Sequence, residues 1–131
     1  MPSYPINLQL KNRKCVVIGG GAVAERKVES LLEYGASVHV AAPQLTPALQ
    51  ALADAGRIDH SSHKYAAGML IGAFLAVAST NDPEVNRSVS LDAQVRGVLV
   101  NVVDDPELCT FFMPAIVRRG ELVIGVSTSG R

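Results

Sequence analysis

The sequence predicts an α/β protein with a doubly wound parallel sheet and a C-terminal antiparallel hairpin, and three observations carry that prediction. Short apolar runs alternate with amphipathic stretches of helical period, the pattern of strands joined by crossover helices. The first run, Cys15-Val16-Val17-Ile18, ends on three glycines, as a buried parallel strand does when a tight turn follows. Beyond Thr110 the alternation stops, and two β-rich segments flank Arg118-Arg119-Gly120-Glu121.

Each element has its own signal. Lys14 to Ile18 is the first strand. Ala22 to Tyr34 places Val23, Val28, Leu31 and Leu32 among charged residues, an amphipathic helix that Gly35 stops. Ser37 to Ala42 reads as a second strand broken by Pro43, and Thr46 to Ala55 as a second helix closed by Gly56. A third strand is expected around Ile58. Ala73 to Ala78 is another buried strand. Asp82 caps a helix that starts at Pro83 and runs to Val95, and Gly97 precedes the strand Val98 to Val102. Thr110 to Val117 and Leu122 to Ser127 are expected to form a hairpin added to the parallel sheet. The division implied is residues 1–110 as a nucleotide-binding domain and residues 111–131 as a hairpin extension.

The 131 residues suffice for one domain with a hydrophobic core, and 48% apolar against 18% charged residues suits a compact fold. Lys plus Arg and Asp plus Glu both number 12, so there is no basic excess to attract nucleic acid. No stretch reaches the roughly 18 apolar residues of a membrane span. Met1 to Leu10 does not read as a signal peptide, and Cys15 and Cys109 lack metal-ligand or disulfide spacing. A cytoplasmic protein with reduced thiols is expected, Cys15 being a small core residue.

The glycine run carries the chemistry. Gly19-Gly20-Gly21-Ala22-Val23-Ala24 matches G-x-G-x-x-A, follows a strand and opens a helix. Gly19 permits the tight turn, Gly21 lets the backbone approach a pyrophosphate, and Ala24 allows close helix–strand packing. The helix N-terminus offers free N–H groups and partial positive charge to the phosphates. A Rossmann-type site for a nicotinamide dinucleotide follows. The acid expected at the end of the second strand is missing, for that strand runs into Ala41-Ala42-Pro43-Gln44. The residues therefore leave NAD and NADP both open, with Gln44 or backbone groups facing the ribose.

Further segments carry a family resemblance: Tyr4-Pro5-Ile6, Val23-Ala24-Glu25-Arg26-Lys27 after the glycines, Ala78-Ser79-Thr80-Asn81, Val85-Asn86, Asn101-Val102-Val103-Asp104, Phe112-Met113-Pro114-Ala115 and Val126-Ser127-Thr128-Ser129-Gly130. Together they run almost end to end, and the chain resembles the precorrin-2 dehydrogenase (sirohydrochlorin ferrochelatase) module of siroheme synthase. The resemblance implies NAD-dependent oxidation of precorrin-2 to sirohydrochlorin, with ferrous iron chelation as a second activity and iron as its substrate. It places Asp104 as the catalytic residue handling protons. It places Ala22, Val23, Pro43 and Gln44 against NAD, with Thr80 and Asn81 bordering the same cleft. It also implies a homodimer and a longer protein, since the family continues with a Ser-Pro turn and helices that cover the substrate.

The residues themselves put Asp104 just beyond a central strand, at the carboxyl edge where ligands of open α/β sheets bind. The bland alternative is that Asp104-Asp105-Pro106 is a solvated turn. His39 is expected to be packed within a strand, and His60-Ser61-Ser62-His63 to be a polar surface loop, so no metal ligand is named. Arg118 and Arg119 are expected to be solvated at the hairpin turn, pairing with substrate carboxylates being the alternative. Ser127, Thr128 and Ser129 are candidate hydrogen-bond donors to a tetrapyrrole. Two other readings compete: a non-catalytic NAD(H)-sensing regulatory module, which needs neither Asp104 nor the hairpin, and a dimerisation scaffold, which leaves the glycines unexplained.

Overall fold

In the computed structural model, which describes residues 1–130, the chain forms β1 (Lys14–Ile18), α1 (Ala22–Glu33), β2 (Ser37–Ala41), α2 (Pro47–Asp54), β3 (Asp59–Ser61), β4 (Leu75–Ala78), α3 (Pro83–Val95) and β5 (Leu99–Val102), followed by β6 (Ala115–Arg119) and β7 (Leu122–Val126). The helices begin where the residues allow. Thr46 caps α2 by accepting the Leu49 N–H at 3.2 Å, and Asp82 caps α3 by accepting the Glu84 N–H at 2.9 Å, each with proline in the first turn. α1 differs: its cap is Gly21, which has no side chain to offer.

β1 to β5 form one parallel sheet in the order β3-β2-β1-β4-β5. β1 pairs on both sides, with Val17 beside Val40 of β2 and Val77 of β4. On one face Val17, Val38, Val40 and Val77 pack with Ala24, Val28 and Leu31 of α1 and Leu49 of α2. On the other, Val16, Ile18, Ala76 and Val100 pack with Val89 and Ala93 of α3. Helices on both faces leave no solvated side, which is why β1 and β4 read as unbroken apolar runs. The chain leaves β1 toward β2 and β3, then returns across the sheet to β4. The carboxyl ends of β1 and β4 therefore diverge at a topological switch point, where open α/β sheets bind ligands.

The doubly wound sheet and the terminal hairpin are as the sequence predicts, but the hairpin is not added to the sheet. β6 and β7 form a separate two-stranded antiparallel sheet, with Val117 opposite Ile124. Its first arm starts at Ala115 rather than Thr110, because residues 109–111 bond sideways to β5. The Thr110 N–H donates to the Val100 carbonyl at 2.8 Å, and the Val100 N–H donates to the Thr110 hydroxyl oxygen at 2.9 Å. β3 follows Ile58 instead of containing it and is made of Asp59, His60 and Ser61, so His60-Ser61 is strand and not loop. The crossover from β3 to β4 holds a 3-10 turn, Ala67–Leu70, whose Leu70 is fully buried. A second 3-10 turn, Pro106–Leu108, follows β5. Neither was anticipated, since three or four residues carry no periodicity.

Candidate functional site

Two concavities at the carboxyl edge of the sheet gather the residues that the sequence singles out. The larger, about 630 Å³, lies at the switch point and is lined by the three glycines, by residues 41–46 after β2, by His63, Lys64 and Tyr65, and by Ser79 to Asp82 after β4. Gly19, Gly21, Pro43, Gln44, Thr80 and Asn81 thus meet in one hollow. Ala22 and Val23 form the first turn of α1 directly behind Gly21.

The glycines are required for different reasons. Gly19 has φ +133°, and a Cβ there would lie 2.6 Å from the Ser79 hydroxyl oxygen. At Gly20 a Cβ would lie 2.0 Å from the Gln44 carbonyl oxygen, so the β1–α1 turn and the β2–α2 loop touch backbone to backbone. At Gly21 a Cβ would meet no heavy atom within 4 Å. Protein packing demands the first two glycines; at the third it leaves open space beside the N-terminus of α1. The first helical bond of α1 is Glu25 N–H to the Gly21 carbonyl at 2.9 Å, so the N–H groups of Ala22, Val23 and Ala24 stand outside the helical ladder. An uncapped helix N-terminus beside a glycine that leaves room is a suitable cradle for a pyrophosphate.

The surrounding loops are held before any ligand arrives. The Thr46 N–H donates to the Gly20 carbonyl at 3.0 Å, and its hydroxyl donates to Glu25 Oε1 at 2.7 Å. Asn86 fixes the opposite wall: its Oδ1 accepts the Thr80 hydroxyl at 2.6 Å, and its Nδ2 donates to the Thr80 carbonyl at 3.1 Å. Sequence reasoning quoted Asn86 without giving it a task and left Gly20 without one. Both tasks depend on contacts between distant segments.

The smaller groove, about 340 Å³, follows β5. Asn101 to Pro106 form one wall, Lys27 of α1 enters it, and Phe112 to Ala115 with Val126, Ser127 and Thr128 close it. Asp104 is exposed in the turn after β5, which is an edge strand of the sheet and not the central one expected, with φ +62°, a left-handed conformation that Asp tolerates better than most residues. Beneath it, Asn101 is 8% exposed and its Nδ2 donates to the Phe111 carbonyl at 3.1 Å, tying the groove's far wall to β5. Cys109 shares the groove, and burial pushes its thiol pKa up. Burial likewise pushes the Cys15 thiol up to about 11, consistent with a core residue and not a nucleophile.

The remaining candidates fall elsewhere. Ser129 lies outside the groove, its hydroxyl accepting the Ser3 N–H at 3.2 Å. Arg118 is exposed as expected, but it lies in β6 and is paired, its guanidinium 2.6 Å from Glu33 Oε1 and 5.5 Å from the centre of the Tyr34 ring. That pairing turns it to the end of α1 and away from the groove. His39 is in β2 as expected, its Nδ1 3.3 Å from Asp59 Oδ2, and His60 Nε2 lies 2.9 Å from the Ala42 carbonyl. Among the described residues, no group of three or more His, Cys, Asp or Glu is placed to hold a metal ion, and no helix is long and apolar enough to cross a membrane.

A parallel sheet in this order, with an uncapped glycine turn at its switch point, defines a dinucleotide-binding protein. Residues 6–115 match a family model described as "Putative NAD(P)-binding", and the chain belongs to this NAD(P)-binding family. It is 48% identical over 130 residues to the siroheme synthase of Chromobacterium violaceum and 48% identical over 130 residues to that of Methylobacillus flagellatus. Each alignment covers 99% of this chain, which spans only 28% of the length of either relative. Among solved structures, the precorrin-2 dehydrogenase SirC superposes with a TM-score of 0.83 at 30% identity, covering 98% of this chain and 63% of that one. The apo D-lactate dehydrogenase of Escherichia coli, at TM-score 0.56 and 13% identity over 72% of this chain and 29% of that one, shares the fold.

Proposed function

We propose that this chain carries out the oxidation of precorrin-2 to sirohydrochlorin, with NAD in the hollow at the switch point and the tetrapyrrole in the groove at Asp104. The observation that carries the reading is the pairing of a dinucleotide cradle with a second groove on the same sheet edge, in a chain that superposes on a precorrin-2 dehydrogenase over almost its whole length. A sensing module would need the first concavity only. Residues 1–110 supply the cofactor site, and the hairpin extension supplies a wall of the substrate groove through Phe112 to Ala115 and Val126 to Thr128.

When bound, the nicotinamide ring supplies the hydride acceptor. The chain's own residues do the rest. The Gly21 backbone and the open N-terminus of α1 hold the pyrophosphate, and Gln44 and Pro43 border the adenosine end. Thr80, clasped by Asn86, and Asn81 shape the wall after β4. Asp104 takes the proton released as the neighbouring carbon–hydrogen bond yields its hydride, leaving a new double bond in the macrocycle. The left-handed turn presents this carboxylate at the groove, and Asn101 below it keeps the facing segment in place. Lys27 and Ser127 offer donors to the substrate's carboxylates. The same groove would receive ferrous iron as a substrate once sirohydrochlorin has formed. A homodimer in the cytoplasm, within a longer siroheme-forming protein, is the setting this reading implies.

The test is an anaerobic assay with enzymatically generated precorrin-2 and NAD, comparing the unaltered chain with Asp104→Asn. Asn keeps the left-handed turn and removes the base. NADH and sirohydrochlorin should appear together, and the variant should lose at least about 100-fold in rate, the size of a general-base contribution. Full activity in Asp104→Asn would remove Asp104 from the mechanism. NAD binding without turnover, here and in a longer chain, would overturn the enzyme reading in favour of a sensing module.

A further inference from the structure

The end of β2 holds no acid, and the structure shows what stands there instead. In dinucleotide folds this position selects the cofactor: a carboxylate binds the ribose hydroxyls of NAD and repels the 2′-phosphate of NADP, whereas a nearby cation welcomes it. Here Ala41, Ala42, Pro43 and Gln44 carry the backbone past the hollow without charge. His63 and Lys64 line the same hollow from the segment after β3, the strand paired directly to β2. Both side chains are exposed, and among the described residues Lys64 has no ion-pair partner.

Their segment is anchored on both sides. Before it, the Ala42 N–H donates to the Ser61 carbonyl at 3.0 Å, and His60 Nε2 contacts the Ala42 carbonyl at 2.9 Å. After it, the Tyr65 hydroxyl donates to Asp92 Oδ2 of α3 at 2.6 Å. His63 and Lys64 thus belong to a segment fixed at both ends and line the hollow together with residues 41–46. Among the described residues lining the hollow, the one acid is Asp82, on the far wall, with its carboxylate occupied in capping α3.

We infer that His63 and Lys64 form a subsite for a phosphate on the adenosine ribose, so that the hollow takes NADP as well as NAD. Lys64 supplies the charge and His63 a ring nitrogen as hydrogen-bond donor. The inference rests on the dinucleotide reading of the hollow and extends it to the choice of cofactor.

The test titrates the 131-residue chain with NADH and with NADPH, following nicotinamide fluorescence at low and high salt. NADPH should bind as tightly as NADH or more tightly at low salt, and its standing should weaken as salt screens the phosphate. Lys64→Ala should move the NADPH-to-NADH affinity ratio about tenfold toward NADH, the loss of one charge-assisted hydrogen bond. Gln44→Glu should move it the same way by placing an acid at the end of β2. Binding of NADPH tenfold weaker than NADH, or a ratio that Lys64→Ala does not move, would overturn the subsite and leave the NAD site standing. Failure of both dinucleotides to bind would overturn the reading of the hollow itself.

Discussion

The parallel sheet and the terminal hairpin are both built from apolar β-formers, yet they sit in opposite surroundings. Every residue of β4 is buried, and every residue of β6 and β7 is exposed. Leu75 in β4 is 2% exposed, whereas Val123 and Ile124 in β7 are 46% and 49% exposed. Apolar composition thus reports what a segment can do at an interface, while the elements on either side decide whether the interface exists. β4 has helices over both faces; the hairpin has the end of α1 at Arg118 and the groove wall at Ala115 and Val126.

The largest effect that separates the two regions is a truncation in each. Leu75→Ala should cost about 3 kcal/mol, the loss of a buried side chain plus the cavity it leaves. Val123→Ala should cost no more than about 0.5 kcal/mol, as for an exposed site. Urea unfolding measures both, and equal costs would mean that the hairpin is packed as the sheet is. An intermediate effect is expected where the regions join. Asn101→Ala removes a buried hydrogen bond to the Phe111 carbonyl and should cost about 1 to 2 kcal/mol. Limited proteolysis should also cut residues 111–114 faster in that variant, and unchanged cleavage would show that other contacts hold the segment. The smallest effect is at Arg118→Ala. Its ion pair with Glu33 is 42% and 52% exposed on its two sides, so the loss should stay within about 0.5 kcal/mol and shrink in salt. A larger, salt-independent loss would show that stacking on Tyr34 anchors the hairpin.

What the sequence made legible follows the same division. β1 and β4 were readable because burial on both faces leaves an unbroken apolar run, and α3 because Asp82-Pro83 is a start signal contained in two adjacent residues. β3 was readable only loosely, as a strand around Ile58, since Asp59-His60-Ser61 owes its strand character to pairing with β2 and not to composition. Thr110 misled in the other direction, a β-former whose hydroxyl bonds sideways to Val100. In the site, the spacing of Gly19 and Gly21 was visible in the chain. The contact of Gly20 with Gln44, the clasp of Thr80 by Asn86 and the meeting of Lys64 with residues 41–46 in one hollow join residues far apart in sequence, and no local pattern encodes them.

The sideways bonds at β5 also limit how this molecule can associate. The outward N–H and carbonyl of Val100 are taken by Thr110, and those of Val102 by the Cys109 thiol at 3.1 and 3.3 Å. A foreign strand arriving at that margin finds these hydrogen-bonding positions already filled by the backbone and side chains of Cys109 and Thr110. The opposite margin is β3, three residues long and bearing Asp59, too short and too charged to template an added strand. Growth of the sheet by strand addition is therefore blocked at β5 and disfavoured at β3.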